Sequence, residues 1–535
     1  MIMKKILKIY LLLVLMLLTV SSCKKSFEDL TKNPNVPLSV PASSLFNGIE
    51  NSMVDLPDGQ EEIWCQYYIY NYNYYGNNTY DFGSGNDYYA ALKNVLLMED
   101  QAKTSGGAAI NPYEALGKFF RAYLFSKMSL ERGDIPMTQA LQGLSNLTPK
   151  YDTQKAVMVQ SLAWLESANA DLSQLIQNPS VGGTGLGATL NGDIFFGGDL
   201  TKWQKTVNAF RIRLLVQLSK KVTTDPDLNI ASQFAAIVGD PAKYPLMQSS
   251  ADNLQYVFVT PTNFYPQNPD NFGQNGSRQN SSQTYISLLT QFQDPRVYIT
   301  AEPARHLVDD LHQSPTSFAS FVGADPGLDL GIMYNNAGLQ LYSFINRKHY
   351  YSTYTGEPSI QFGFPEQEFN IAEGINRGWA TGNAETHYIA GIEASMTYYN
   401  IPAAGSFIAY FYRPGSSDVK AASNYDSYPI NFDWATYYAQ PLIKYAGGAT
   451  GLTQILQQKY LALFRHSGLE SYFTYRRTGV PTFTTGPGTD NGQRIALRFQ
   501  YPSSERTANS TNYNAALASQ YGGNDDINGV MWILK

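Results

Sequence analysis

The residues of this chain that could do chemistry are few and scattered. The histidines are His306, His312, His349, His387 and His466, and none forms the His-Glu-x-x-His pair of a zinc hydrolase helix. A histidine–cysteine zinc site has too few cysteines to draw on, since the chain holds only Cys23 and Cys65. No Gly-x-Ser-x-Gly turn is present to expose a nucleophilic serine. Neighbouring carboxylates occur at Glu61-Glu62, Glu366 with Glu368, and Asp525-Asp526. A glycosidase needs two carboxylates set across a sugar, and adjacency in sequence does not supply that, so capping and solvated roles account for these pairs. The run Gly183-Thr184-Gly185-Leu186-Gly187 has the glycine density of a phosphate cradle, but no lysine follows it and no strand precedes it. It reads as a flexible linker. Nothing here calls for an enzyme, a metal or a cofactor.

Aromatic and amide side chains are what the chain has in excess. Tyrosine occurs 39 times while charged residues make up only 15%, so the informative chemistry is stacking and neutral hydrogen bonding. Nine tyrosines fall between Tyr67 and Tyr89, in the stretch WCQYYIYNYNYYGNNTYDFGSGNDYY that begins at Trp64. A tyrosine presents an apolar ring and a polar tip, which suits both half-buried helix contacts and exposed ligand platforms. The tyrosines up to Tyr70 read as sharing a helix with Trp64 and packing the core. Around Gly76-Asn77-Asn78 the backbone must turn, and turns lie on the surface. The candidate ligand residues are therefore Tyr72, Tyr74, Tyr75, Asn77, Asn78 and Tyr80.

The elements that would position this segment are mostly helices. Apolar spacing predicts helices from Ser44, over Tyr88–Met98, Ala115–Leu130 and Tyr151–Gln177, with Asp152 or Thr153 as an N-cap for the last. Trp203, Val207, Phe210, Leu214 and Leu218 form another stripe, and a final strong helix runs from Leu452 to about Arg465. Glu366 to Tyr399 holds two stripes broken at Thr381-Gly382-Asn383, and its 34 residues match the period of a tetratricopeptide hairpin. Between Pro241 and Tyr354 the pattern weakens into loops and short strands, and beyond Arg465 the chain turns polar. The fold class expected is mainly α: tetratricopeptide-like helix hairpins with loop-rich elaborations and few short strands.

At the N-terminus, Lys4, Lys5 and Lys8 precede an apolar run ending in Val20-Ser21-Ser22-Cys23. The run is too short for a permanent span and reads as a signal peptide. Its small residues before a cysteine resemble the bacterial lipobox, which implies acylation of Cys23 and cleavage before it. Three segments follow: 1–22 as signal peptide, 23–43 as a proline-rich lipidated tether, and 44–535 as the ligand-binding body. Cleavage would remove three lysines and take the formal charge from −6 to −9, with no basic patch for nucleic acid.

Several segments, in order, resemble the SusD/RagB family of outer-membrane lipoproteins. They are SFEDLTKNPNVP after Cys23, Trp64-Cys65-Gln66-Tyr67, GDIPMTQALQG from Gly133, YDTQKAVMVQSLAWLESANADL from Tyr151, and GDLTKWQKTVNAFRIRLLVQLSK from Gly198. EFNIAEGINRGW from Glu368, IEASMTYY from Ile392, QKYLALFRHSGLESYFTYRRTGVP from Gln458 and RFQYPSSE from Arg498 complete the series. The chain departs from the family's pattern at Met137, where a tyrosine is common, and in its tyrosine density. The resemblance implies a SusD-like helical body that captures a nutrient, most often a glycan, and delivers it to a SusC-like TonB-dependent barrel in the outer membrane. It implies a lipid anchor facing the cell exterior. Peptide capture of RagB type is the alternative within binding proteins, and a surface-anchored hydrolase is the alternative of another class.

Overall fold

The computed structural model describes Met3 and residues 39–535, so the signal peptide, Cys23 and most of the tether lie outside the described residues. The first body helix begins at Ala42, two residues before the expected boundary, and Ala42–Lys535 forms one unit. The helices that carry the argument are α1 (Ala42–Ser52), α2 (Tyr89–Thr104), α3 (Pro112–Arg132), α4 (Gln154–Gln177), α5 (Leu200–Gln217), α6 (Phe364–Asn376), α7 (Ala384–Tyr398), α8 (Gly448–Ala462) and α9 (Glu470–Thr478). Successive helices pack as pairs: α2 on α3, α3 on α4, α4 on α5, and α6 on α7. The α6–α7 pair spans Phe364 to Tyr398, so the tetratricopeptide-like hairpin lies where the two stripes place it. Helix is the dominant structure, as the patterning predicts.

The starts of these helices are written into local side chains. Asn111 accepts from the Glu114 N–H at 3.0 Å, with Pro112 in the first turn, and Asp199 accepts from Thr201 at 2.9 Å. Of the two N-cap candidates before α4, Thr153 takes the role, accepting from Ala156 at 3.2 Å. Asp152 instead folds back and accepts from Met137, Thr138 and the Thr138 hydroxyl, each at 2.8 Å, which holds the turn after α3. Gly133 closes α3 at φ +98, and a Cβ there would come within 2.3 Å of Gln520 and Tyr521.

Burial exceeds what one-sided stripes foresee. α3 is buried on nearly every face, including Lys127, Glu131 and Arg132, because α1, α2 and α4 all pack on it. α5 buries Arg211 and Arg213 beside its apolar stripe. Buried arginines of this kind are tolerable only when paired, and both are, Arg211 with Glu166 of α4. Arg213 donates to Glu366 of α6 at 2.6 Å and lies 4.2 Å from the Phe362 ring centre. Arg477 of α9 donates to both oxygens of Glu373 on α6, at 2.5 and 3.0 Å. Trp203 sits among Phe46, Phe119 and Phe120 at ring-centre distances of 5.6 to 6.0 Å, tying α5 to α1 and α3.

Three expectations are corrected. The helix ending near Arg465 is not the final one, since α9 and a helix at Ser510–Tyr521 follow; in α9 the buried Tyr472, Arg476 and Arg477 mask the apolar period. The Gly183–Gly187 run is bonded rather than free: the Thr184 N–H donates to Gly106 at 2.9 Å and that of Gly187 to Ser105 at 3.1 Å. Tyr67–Tyr70 is not helical. The helix there is only Gln60–Trp64, and strand β1 (Tyr68–Tyr70) follows it. With β2 (Leu254–Tyr256), β3 (Gln279–Ser281), β4 (Ser359–Phe362), β5 (Ala404–Tyr412) and β6 (Tyr425–Asp433), it makes three two-stranded antiparallel ladders: β1–β3, β2–β4 and β5–β6.

Candidate ligand-binding site

The β1–β3 ladder decides where the tyrosine segment goes. Tyr68 pairs with Ser281 and Tyr70 with Gln279, so the two tyrosines share one face of the ladder and Ile69 the other; Tyr68 is buried, and Tyr70, at the end of the strand, is half-buried. Tyr67, one residue earlier, stacks on Tyr460 at 4.6 Å in the core. The pairing continues past the strand, for the Asn71 N–H donates to the Arg278 carbonyl at 3.1 Å and its side chain to Asn280 at 2.7 Å. The chain then turns at Gly76, where a Cβ would meet the Tyr70 ring at 2.2 Å.

The structure divides the six candidate residues. Tyr72 and Tyr74 are exposed, Tyr74 by 80%, and Tyr75 is half-buried beside them. Asn77 is exposed, with its side-chain Oδ1 accepting from the Thr79 N–H at 3.1 Å. Asn78 and Tyr80 are not on the surface, which corrects their placement. The Asn78 amide bonds both backbone groups of Tyr70, at 2.9 and 2.8 Å, and so closes the turn onto β1. Tyr80 is 1% exposed and donates its hydroxyl to the Trp64 carbonyl at 2.8 Å. Both return to the core as the chain leaves the turn, a step that turn chemistry alone does not reveal.

Side chains from distant segments complete an aromatic group. Ile69 of β1 packs in a small cluster with Met333, which lies on the helix Leu330–Gly338. That contact brings Tyr334, 45% exposed, to 5.4 Å from the Tyr72 ring. Tyr72 is 6.0 Å from Tyr75, and Tyr74 is 5.2 Å from Tyr75. The Arg278 guanidinium lies among them, 5.0 Å from Tyr72, 5.8 Å from Tyr334 and 6.0 Å from Tyr75.

Arg278 and Tyr334 also line a cleft of about 730 Å³. Ligand clefts run at roughly 300–1,000 Å³, so this one is of a size for a short oligomer. Its other walls come from Phe344 and Arg347, from Arg305, and from the turn between β5 and β6 that begins with Arg413. The Arg347 guanidinium lies 4.8 Å from the Phe344 ring centre and 5.1 Å from that of Tyr412. Sequence reasoning missed Arg278, Arg305, Tyr334, Arg347 and Arg413, because they fall where the periodicity fails and converge only through the ladders. Arg278 could have been sought as the ladder neighbour of Asn71, had the strand been recognised.

The histidines do not gather as one group, although His349 and His466 both lie near Glu357. His306, His349 and His387 each pair with one carboxylate, Asp310, Glu357 and Glu368 respectively, at 2.6 to 2.8 Å. His466 is buried, and that burial pulls its pKa down to about 4. Among the described residues no three His, Cys, Asp or Glu side chains gather as a metal site. The strongly shifted carboxyls belong to the helix core: Glu373, buried but beside Arg477 and Arg377, is held down at about 2.

Paired helices with an aromatic-lipped cleft between their loop elaborations define a tetratricopeptide-like body with one candidate binding cleft. A SusD-like family model, described as starch-binding and associating with the outer membrane, matches residues 34–502. The chain belongs to that SusD-like family. Among similar solved structures, a SusD homologue from Bacteroides fragilis NCTC 9343 is 30% identical, with a TM-score of 0.77 over 93% of this chain and 100% of that one. A second SusD homologue from the same strain is also 30% identical, at a TM-score of 0.74 over 93% and 100%. A chitin-binding SusD homologue from Flavobacterium johnsoniae shares the fold at 20% identity, with a TM-score of 0.67 over 92% and 98%. No curated protein matches the chain by sequence. The family is one of binding rather than catalytic proteins.

Proposed function

We propose that this protein captures a glycan at the cell surface, tethered by a lipid on Cys23, and hands it to a SusC-like TonB-dependent barrel. It binds and delivers without catalysing. The observation that carries the reading is the cluster Tyr72, Tyr74, Tyr75 and Tyr334 at the lip of the 730 Å³ cleft. Exposed rings gathered in one patch are unfavourable in water unless a partner covers them. Flat aromatic faces match the C–H faces of sugar rings, and Asn77 keeps an amide N–H₂ for hydroxyls. The starch-binding description of the family and the chitin-binding relative support a glycan over other nutrients.

The test is calorimetry of the purified body against neutral and charged glycans, comparing wild type with a Tyr72→Ala, Tyr74→Ala, Tyr75→Ala variant. Each stacking ring contributes about 1 kcal/mol, so losing even one should weaken binding about fivefold. The variant should lose at least that much, with its melting temperature within a degree or two of wild type, since these rings lie outside the core. Undiminished affinity would remove the segment from the ligand site.

A further inference from the structure

We infer that the glycan taken by this cleft carries anionic groups, carboxylate or sulfate, which the cleft's arginines recognise. The inference rests on the glycan-capture reading and names the chemistry of its ligand. Among the described residues four arginines line the cleft, Arg278, Arg305, Arg347 and Arg413, and no aspartate or glutamate does. The bias does not follow from composition, because acidic residues outnumber basic ones in the chain, 44 to 38. A guanidinium only donates hydrogen bonds, and it pairs with an anionic oxygen more strongly than with a neutral hydroxyl.

Three of the four are braced by carboxylates that stand outside the cleft wall. Arg347 donates to Glu302 at 3.0 Å, Arg305 to Asp309 at 3.0 Å, and Arg413 to Asp426 at 2.7 Å. Those pairs fix where the guanidinium groups sit and offset part of their charge. Arg278 is different. Among the described residues its guanidinium has no ion pair and no hydrogen-bond acceptor, only the rings of Tyr72, Tyr75 and Tyr334. The rings surround Arg278 without supplying a hydrogen-bond acceptor, so its N–H donors stay open to a carboxylate or sulfate, the groups that a guanidinium fork matches best. The same rings present flat faces to the sugar that bears the anion, which favours a charged glycan over an acidic peptide.

The experiment is calorimetry of the whole body with two matched pairs of probes: polygalacturonate with its methyl-esterified form, and chondroitin sulfate with its desulfated form. One charged polymer should bind at least about tenfold tighter than its neutralised counterpart, and weaken as salt is raised toward about 0.15 M. Which polymer binds tells carboxylate from sulfate. Arg278→Gln should cost about tenfold in affinity for that polymer without moving the melting temperature, and Arg278→Lys, which keeps charge but not the fork, should recover only part of it. If a neutral glycan binds as well as the charged one, or Arg278→Gln binds with wild-type affinity, the anionic assignment falls and glycan capture stands. If none of the four probes nor starch binds, or only polyglutamate does, the glycan reading falls with it. Should either variant unfold, the matched pairs and the salt response of wild type decide alone.

Discussion

Tyr74 and Tyr80 are six positions apart and have opposite fates. Tyr74 stands 80% exposed over the turn, while Tyr80 is 1% exposed with its hydroxyl on the Trp64 carbonyl. Tyr80→Ala should remove a buried ring and leave that carbonyl without its donor, costing about 3–5 kcal/mol of stability. Urea unfolding should show the loss, whereas ligand affinity of the folded fraction should hold. A Tyr80→Ala protein as stable as wild type would contradict the placement of this ring. Asn78 belongs with Tyr80, because its amide is spent on both backbone groups of Tyr70.

At the scale of elements, α6 is the helix on which α5, α7, α8 and α9 are fixed, and its polar residues do much of the fixing. Glu366 takes Arg213 from α5, and Glu373 takes Arg477 from α9. Glu373 is held at about 2 against an ordinary value of 4.5. Its folded pKa is depressed, so its contribution is fully present above pH 4.5 and is lost as pH falls toward 2. Glu373→Gln should cost about 3–5 kcal/mol near neutrality, since it strands the buried Arg477, and should flatten the stability profile over that acid range. A variant whose melting temperature drops with pH as steeply as wild type would refute the assignment. The helices were legible because their stripes and caps are local, as at Thr153 and in the Glu366–Tyr399 hairpin. What stayed hidden was set by non-local pairing. Tyr67–Tyr70 has no strong period of its own, and only the partner strand Gln279–Ser281 makes it a strand. The tyrosine turn was found from composition, but its arginine and Tyr334 neighbours lie more than 200 residues away and carry no local signature.

For the whole molecule, helix pairs supply a rigid frame, and the ladders β1–β3 and β5–β6 bring the loops of the cleft onto it. The family associates with the outer membrane, and no described helix is long and apolar enough to cross one. The proposed lipid on Cys23 would supply the attachment, because two or more acyl chains anchor stably. Cys23→Ala should abolish labelled-palmitate incorporation and release the protein from the outer-membrane fraction. Wild type extracted in mild detergent should co-purify with a large barrel protein. Recovery of wild type alone at native expression would count against delivery to a transporter. The claim on which everything else depends is that ligand is held at the tyrosine lip and the arginine cleft together. A crystal structure of the body with the tightest-binding glycan of the calorimetric panel tests it most directly. The account predicts sugar rings against Tyr72, Tyr74 or Tyr334, with an anionic group on the Arg278 guanidinium. Glycan bound on the helix-pair surface, with the cleft and all four of those side chains untouched, would contradict it.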